Sequence, residues 1–181
     1  MYDYSRYEYL NPIYSITNGK IGLCSKRGSK VRCTHFDLDG SNPVSSNMDF
    51  DNDLLDIAMC NVPEGGFLLL VIECLSAHCR NDDLRYQVVK FDRMGAKVGY
   101  LDYEKYSCSV DSKDSRAKIF EKNPREYCLT LLCGEDFEDY AQRRIKDVFR
   151  FDAKCFNDDD FVTLNATPTP VQNSDSKKLS T

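Results

Sequence analysis

Asp56-Ile57-Ala58-Met59-Cys60-Asn61-Val62-Pro63-Glu64-Gly65-Gly66-Phe67-Leu68-Leu69-Leu70, continued by Tyr86-Gln87-Val88-Val89-Lys90-Phe91-Asp92-Arg93-Met94-Gly95, says what kind of chain this is. Leu54 to Met59 reads as one strand, and Phe67 to Cys74 as a buried one by its unbroken apolar character. Between them Pro63-Glu64-Gly65-Gly66 is a turn, because Gly supplies the positive φ that tight turns need. Leu75 to Asp83 is a polar loop, Tyr86 to Phe91 a third strand, Met94-Gly95 another turn, and Lys97 to Tyr103 a fourth strand.

The same pattern recurs on either side. Phe36-Asp37-Leu38-Asp39-Gly40 returns as Phe91-Asp92-Arg93-Met94-Gly95 and, more faintly, as Phe151-Asp152-Ala153-Lys154, at intervals of 55 and 60 residues. Each Phe-Asp closes a stretch of strand character: Val31 to His35, Tyr86 to Lys90, and Ile145 to Arg150. Each is preceded by an apolar run: Ile21 to Leu23, Phe67 to Ile72, and Leu129 to Leu132. Met48-Asp49-Phe50 and Leu101-Asp102-Tyr103 follow the first two copies, and Tyr2-Asp3-Tyr4 has the same form. Four short strands at this period are the signature of a propeller blade.

The predicted fold is therefore all-β, with about three four-stranded propeller-type blades. Residues 1–10 are the closing strand of a preceding blade, 11–53 blade one, 54–107 blade two, and 108–167 a divergent blade three. Glu138 to Asp147, where charges dominate, is a long loop or hairpin. Residues 168–181 form a disordered tail, because their Pro, Ser, Thr and Lys content cannot support a core. Four to eight blades close a propeller ring, so three make a partial one. The outer blades should then expose apolar faces holding Ile21, Leu23, Leu129 and Leu131, and self-association is expected.

The quoted runs resemble β-propeller repeats built on a Gly-Gly-Phe strand and a Phe-Asp-x-x-Gly turn, which occur in secreted proteins, insect ones among them. The resemblance is good over the second copy and fair over the first, where Asn18-Gly19-Lys20-Ile21 replaces the Gly-Gly-Phe. It is poor over the third, which has Asn123-Pro124-Arg125-Glu126 at the turn and lacks the final Gly. It implies a fold and a secreted setting, and it says almost nothing about function.

Composition narrows the classes. With 24 Lys and Arg against 29 Asp and Glu, and no long basic run, nucleic acid is not an expected partner. The longest apolar run, Phe67 to Ile72, is far too short to span a bilayer. Nine cysteines occur with no Cys-x-x-Cys and only two histidines, so oxidised structural cysteines are favoured over zinc. That implies a secretory, extracellular setting. Asn165-Ala166-Thr167 is an acceptable N-glycosylation site. Met1-Tyr2-Asp3-Tyr4-Ser5-Arg6 has no apolar signal region, so a secreted chain implies a start that lies outside this sequence.

Cys24 and Cys33 flank a hairpin turn, and Cys74 and Cys79 flank the loop Leu75-Ser76-Ala77-His78; both pairs are expected disulfides. Cys128 and Cys133 lie five apart on one strand and face opposite sides. Spacing assigns no partner to Cys60, Cys108, Cys128, Cys133 or Cys155, and an odd count leaves at least one thiol free or paired with another chain.

Asp37, Asp39, Asp49, Asp51 and Asp53 invite a calcium reading, since Asp-x-Asp spacings offer hard oxygen ligands. The EF-hand template fails, with Leu54 and Cys60 at its sixth and twelfth positions, so solvated turns are the expected role. Asp158-Asp159-Asp160 reads the same way. His35 and His78 have no nucleophile arranged around them, no cofactor motif occurs, and an enzyme is the less favoured class. Tyr2, Tyr4, Tyr7, Tyr9, Tyr100, Tyr103 and Tyr106 could form a recognition surface, but their recurrence in the closing strand favours packing between blades. The function expected is a secreted binding protein for a protein or glycan partner, with no cofactor. The alternatives are an enzyme with its site in a propeller's central cavity and a calcium-stabilised structural repeat.

Overall fold

Phe67–Cys74 is buried along its whole length because a second sheet lies against each of its faces. The computed structural model describes residues 13–75, 84–103, 116–139 and 144–164. In the first sheet β1 (Ile13–Thr17), β2 (Lys20–Arg27), β3 (Lys30–Asp37) and β4 (Val44–Asp49) run as an antiparallel meander. The second holds β5 (Leu54–Asn61), β6 (Phe67–Cys74), β7 (Leu84–Phe91) and β8 (Lys97–Tyr103). The third holds β9 (Arg116–Asn123), β10 (Glu126–Asp139) and β11 (Arg144–Asn157). A last short strand, β12 (Val162–Thr163), crosses back to pair with β8. Among the described residues the sheets thus have four, five and three strands, where four in each were expected.

Alternation along β6 builds both cores. Phe67, Leu69 and Val71 point at the first sheet, against Cys24, Val31 and Cys33. Leu68, Leu70 and Ile72 point at the third, against Ile119, Tyr127, Leu129 and Leu131. An apolar residue at every position is what a strand needs when neither face meets water. Leu129 and Leu131, expected on an exposed outer face, are instead fully covered by the second sheet. Leu23, by contrast, is exposed on the far side of the first sheet, as expected.

The turns follow their residues. Asn18 and Gly19, both at positive φ, join β1 to β2 in the two-residue form favoured by right-twisted strands. Gly66 has φ 94°, and a Cβ there would lie 2.2 Å from the Phe91 carbonyl oxygen, so this turn has no room for a side chain. Of the charge-rich stretch 138–147, residues 138–139 and 144–147 belong to the facing ends of two 14-residue strands, paired from Glu126↔Asn157 to Asp139↔Arg144, which is the hairpin form expected, and 140–143 lie outside the described residues.

Register corrects the third repeat. The first two Phe-Asp copies end their strands, with Phe36 opposite Ile21 and Phe91 opposite Phe67, the latter rings stacked at 4.6 Å. Phe151-Asp152 does not, because β11 continues to Asn157. The place of Phe91 is taken by Phe156, opposite Tyr127 at 5.9 Å between ring centroids. Gly40 and Gly95 turn the earlier copies at positive φ. No glycine follows Phe151, so the ladder runs on.

Residues 1–10, the tail 168–181, His78, Cys79, Tyr106, Cys108 and Asn165 lie outside the described residues.

Candidate functional site

The face that the second sheet turns to the first changes character along its length. At one end Phe67, Leu69, Val71, Val89 and Phe91 seal against the disulfide-bearing hairpin of β2 and β3. At the other, the cross-strand partners become polar: Val71 opposite Gln87, then Glu73 opposite Arg85. There the sheets part, opening a cleft of ≈ 500 Å³ that runs along β7 and β8 past the edges of Val89 and Phe91 as far as Gly95, with β4 and the residues after it on its other side.

Glu73 lies at the cleft and is only 2 % exposed, with Asn52 Nδ2 donating to its Oε2 at 3.3 Å. Asp102 is held by three donors: Gln87 Nε2 at 2.8 Å, and Arg85 through Nη2 at 3.1 Å and Nε at 3.3 Å. All three meet Oδ1, and Arg85 Nη2 also reaches Oδ2 at 3.2 Å, so the guanidinium holds both carboxylate oxygens. Asp49, Asp51, Lys97 and the rings of Phe50 and Tyr100 complete the rim. Carboxylates here outnumber cationic side chains, four to two.

Polar pins beside the cleft lock the two sheets together. Ser46 Oγ donates to the Gly95 carbonyl at 2.8 Å, and Lys26 Nζ to the Leu54 carbonyl at 2.9 Å. His35 is buried, hydrogen-bonded to the Arg93 backbone, and its ring meets Phe67 edge-on at 5.5 Å. Burial holds its pKa below the usual imidazole value, so it sits there neutral. Asn61, wholly buried, donates to the Lys20 carbonyl at 3.0 Å and the Ser15 carbonyl at 3.3 Å. Gly22 permits this approach, since a Cβ there would lie 2.9 Å from Asn61 Oδ1 and 2.4 Å from Met59 Cε.

The acidic residues singled out in the sequence are not one cluster. Asp37 and Asp39 sit at one end of β3, where Lys20, Asn42 and Ser41 satisfy them. Hydrogen bonds from Lys20 and Asn42 hold the Asp37 carboxyl below its ordinary pKa, and those from Ser41 do the same for Asp39. Asp49, paired with Lys30, belongs to the opposite end, roughly 24 Å away along an eight-residue strand. No group of three His, Cys, Asp or Glu side chains that could hold a metal ion occurs among the described residues. Asp49 and Asp51 nonetheless reach the cleft. Asp53 instead contributes its backbone carbonyl to Cys74 N–H at 2.8 Å.

Cys24 and Cys33 form a disulfide between directly opposed residues of β2 and β3. Cys74 is disulfide-bonded as well, while its expected partner Cys79 is outside the described residues. A bond between Cys128 and Cys155, which spacing did not suggest, crosses β10 and β11. Cys60 is a buried free thiol whose pKa burial raises. Tyr103 packs between the second and third sheets, edge-on to Phe156 at 6.0 Å, in the packing role expected of it.

Glu73, Arg85 and Gln87 were not singled out from the sequence. A signal was there: Glu73 is the one charged residue in the otherwise apolar run Phe67–Cys74. No protein-family model matches the chain, and no curated protein matches it either. No helix among the described residues is long and apolar enough to cross a membrane.

Proposed function

We propose that this chain is a secreted binding protein built on propeller-type blades, and that it takes its ligand in the cleft between the first and second sheets. The cleft is the observation that carries this reading. Two of its carboxylates are held in place by neighbouring donors: Asp102 by Arg85 and Gln87, and Glu73 by Asn52. A carboxylate held at both oxygens by a guanidinium suits recognition, since its geometry costs no further ordering when a ligand arrives. Carboxylates beside Phe50 and Tyr100 fit a ligand that donates hydrogen bonds and offers an apolar face, as a glycan does.

The blade reading is supported where the three sheets converge. Asn18 Nδ2, in the β1–β2 turn, donates to the Asn61 carbonyl at the end of β5 and to Glu121 Oε2 on β9, both at 3.0 Å. The first strands of the successive sheets thus lie side by side, as the inner strands of blades do. Secretion is supported by the disulfides, which persist in oxidising compartments.

The test is a screen of the intact chain against an array of neutral and amino-sugar oligosaccharides, followed by calorimetry on any ligand found. Substituting Asp102→Ala should weaken binding at least tenfold while the unfolding midpoint stays nearly constant, because Asp102 is half-exposed. Binding that is indifferent to Asp102→Ala places the ligand elsewhere and removes the cleft from the argument.

A further inference from the structure

Glu73 is out of place in its strand. Every other residue of β6 is apolar, and Glu73 is buried with them at 2 % exposed. An ionised carboxylate withdrawn from water costs free energy that a cation and several hydrogen bonds ordinarily offset. Here the offset is small. Asn52 Nδ2 donates to Oε2 at 3.3 Å, while Oε1 has no donor among the described residues and is not sealed in. Glu73 lines the cleft, so Oε1 is the oxygen that a ligand there can meet.

A cation stands close by and is turned away. Arg85 is directly opposite Glu73 on the β6–β7 ladder, yet its guanidinium is committed to both oxygens of Asp102, at 3.1 and 3.2 Å from Nη2. Lys97, the other cation at the cleft, lies over the Tyr100 ring at 5.5 Å. No Lys or Arg side chain pairs with Glu73 among the described residues. The single open oxygen decides what kind of cation fits. A guanidinium binds best where both carboxylate oxygens are available to its fork. A primary ammonium is a compact charge with three donors, so it can place one on Oε1 and keep the others for Asp51 and further acceptors of the cleft.

We propose that Glu73 is a cation subsite of the cleft, and that the ligand presents a protonated primary amine to its Oε1, as an unacetylated amino sugar does. This rests on the cleft reading above and narrows its ligand to one that carries positive charge. It gives the excess of carboxylates over cations in the cleft a purpose, because the ligand supplies the missing charge. The rings of Phe50 and Tyr100 on the same rim suit the apolar face of a sugar, which favours an amino sugar over a basic peptide.

Calorimetry on the full chain compares a glucosamine tetrasaccharide with its fully N-acetylated counterpart at mildly acidic pH, where the free amine is charged. The amine oligomer should bind about tenfold more tightly, since it alone brings a charged donor to the carboxylate. Glu73→Gln keeps the shape of the side chain and should bring the two oligomers to equal affinity, with cooperative melting preserved. Equal binding of both oligomers by the parent chain overturns the subsite without any variant. If that shared binding still falls with Asp102→Ala, the cleft reading survives it, so the two readings fail separately. A preference for the amine that persists in Glu73→Gln overturns the subsite, as does an amine oligomer that does not bind. A lysine tetrapeptide that binds as tightly, with the same dependence on Glu73, overturns the sugar assignment in favour of a basic peptide.

Discussion

The second sheet packs the same strand, β6, against two neighbours in two different ways. Toward the third sheet, Leu68, Leu70 and Ile72, with Tyr86 beside them on β7, meet Tyr127, Leu129 and Ile119 in an apolar seam. Toward the first sheet the seam is apolar for half its length and then gives way to Gln87, Glu73 and the cleft. Polar pins hold that second interface, among them Asn61, Ser46 and His35. A sheet sealed on one side can leave the other partly open, because the burial on the sealed face carries the stability that an open cleft gives up.

Adjacent leucines test that difference most directly. Leu68 faces the third sheet and Leu69 the first, and both are completely buried. Leu68→Ala should cost about 4 kcal/mol, toward the upper end for a buried leucine, because its cross-strand neighbours are the short Cys60 and a Lys90 tethered to Asp158, neither of which can fill the space. Leu69→Ala should cost about 3 kcal/mol, because its cross-strand neighbour Met59 is flexible enough to fill part of the cavity. Urea unfolding of the two variants gives the comparison, and equal costs would remove the distinction between the seams.

The sealed interface carries charged anchors too, Asp158 among them. Asp158, 6 % exposed, receives Lys90 from β7 at 2.8 Å and Arg125 from the β9–β10 turn at 3.0 Å. Burial alone would raise its pKa; the two cations overcome that and hold it below the ordinary value. Asp158→Asn leaves both cations short of their partner and should cost about 2 kcal/mol, read as a lower unfolding midpoint at neutral pH.

The smallest effect belongs to the cleft side. His35 is kept neutral by burial, so the unfolded chain binds the extra proton below its ordinary value of 6.5. Stability from this group is complete above that pH and declines as pH falls toward the lower value of the folded state. That loss should appear as a falling unfolding midpoint once the pH drops below the ordinary imidazole value. His35→Leu should flatten that part of the pH profile, and an unchanged profile would falsify the assignment.

Much of this fold could be read from the chain because its signals are local. Gly65-Gly66 and Asn18-Gly19 force turns through the positive φ they adopt. The apolar run at β6 announced burial, and Cys24 and Cys33 faced each other because a short hairpin leaves them no alternative register. The third repeat was misplaced by five residues for the same reason in reverse. Phe151-Asp152 copies the letters of the motif, but no glycine turns the chain behind it, and register gave the role to Phe156.

Residue pattern alone was enough for the strand-only architecture, the hairpins and the buried middle strand, since each depends on neighbours within a few positions. Folding in three dimensions settled which sheet faces which, that β12 returns to β8, that Cys128 meets Cys155, and that Glu73 and Asp102 share a cleft with Asp49. Those facts depend on contacts between residues tens of positions apart. An alternating or apolar run records how many of a strand's faces are buried, and carries no mark of what buries them.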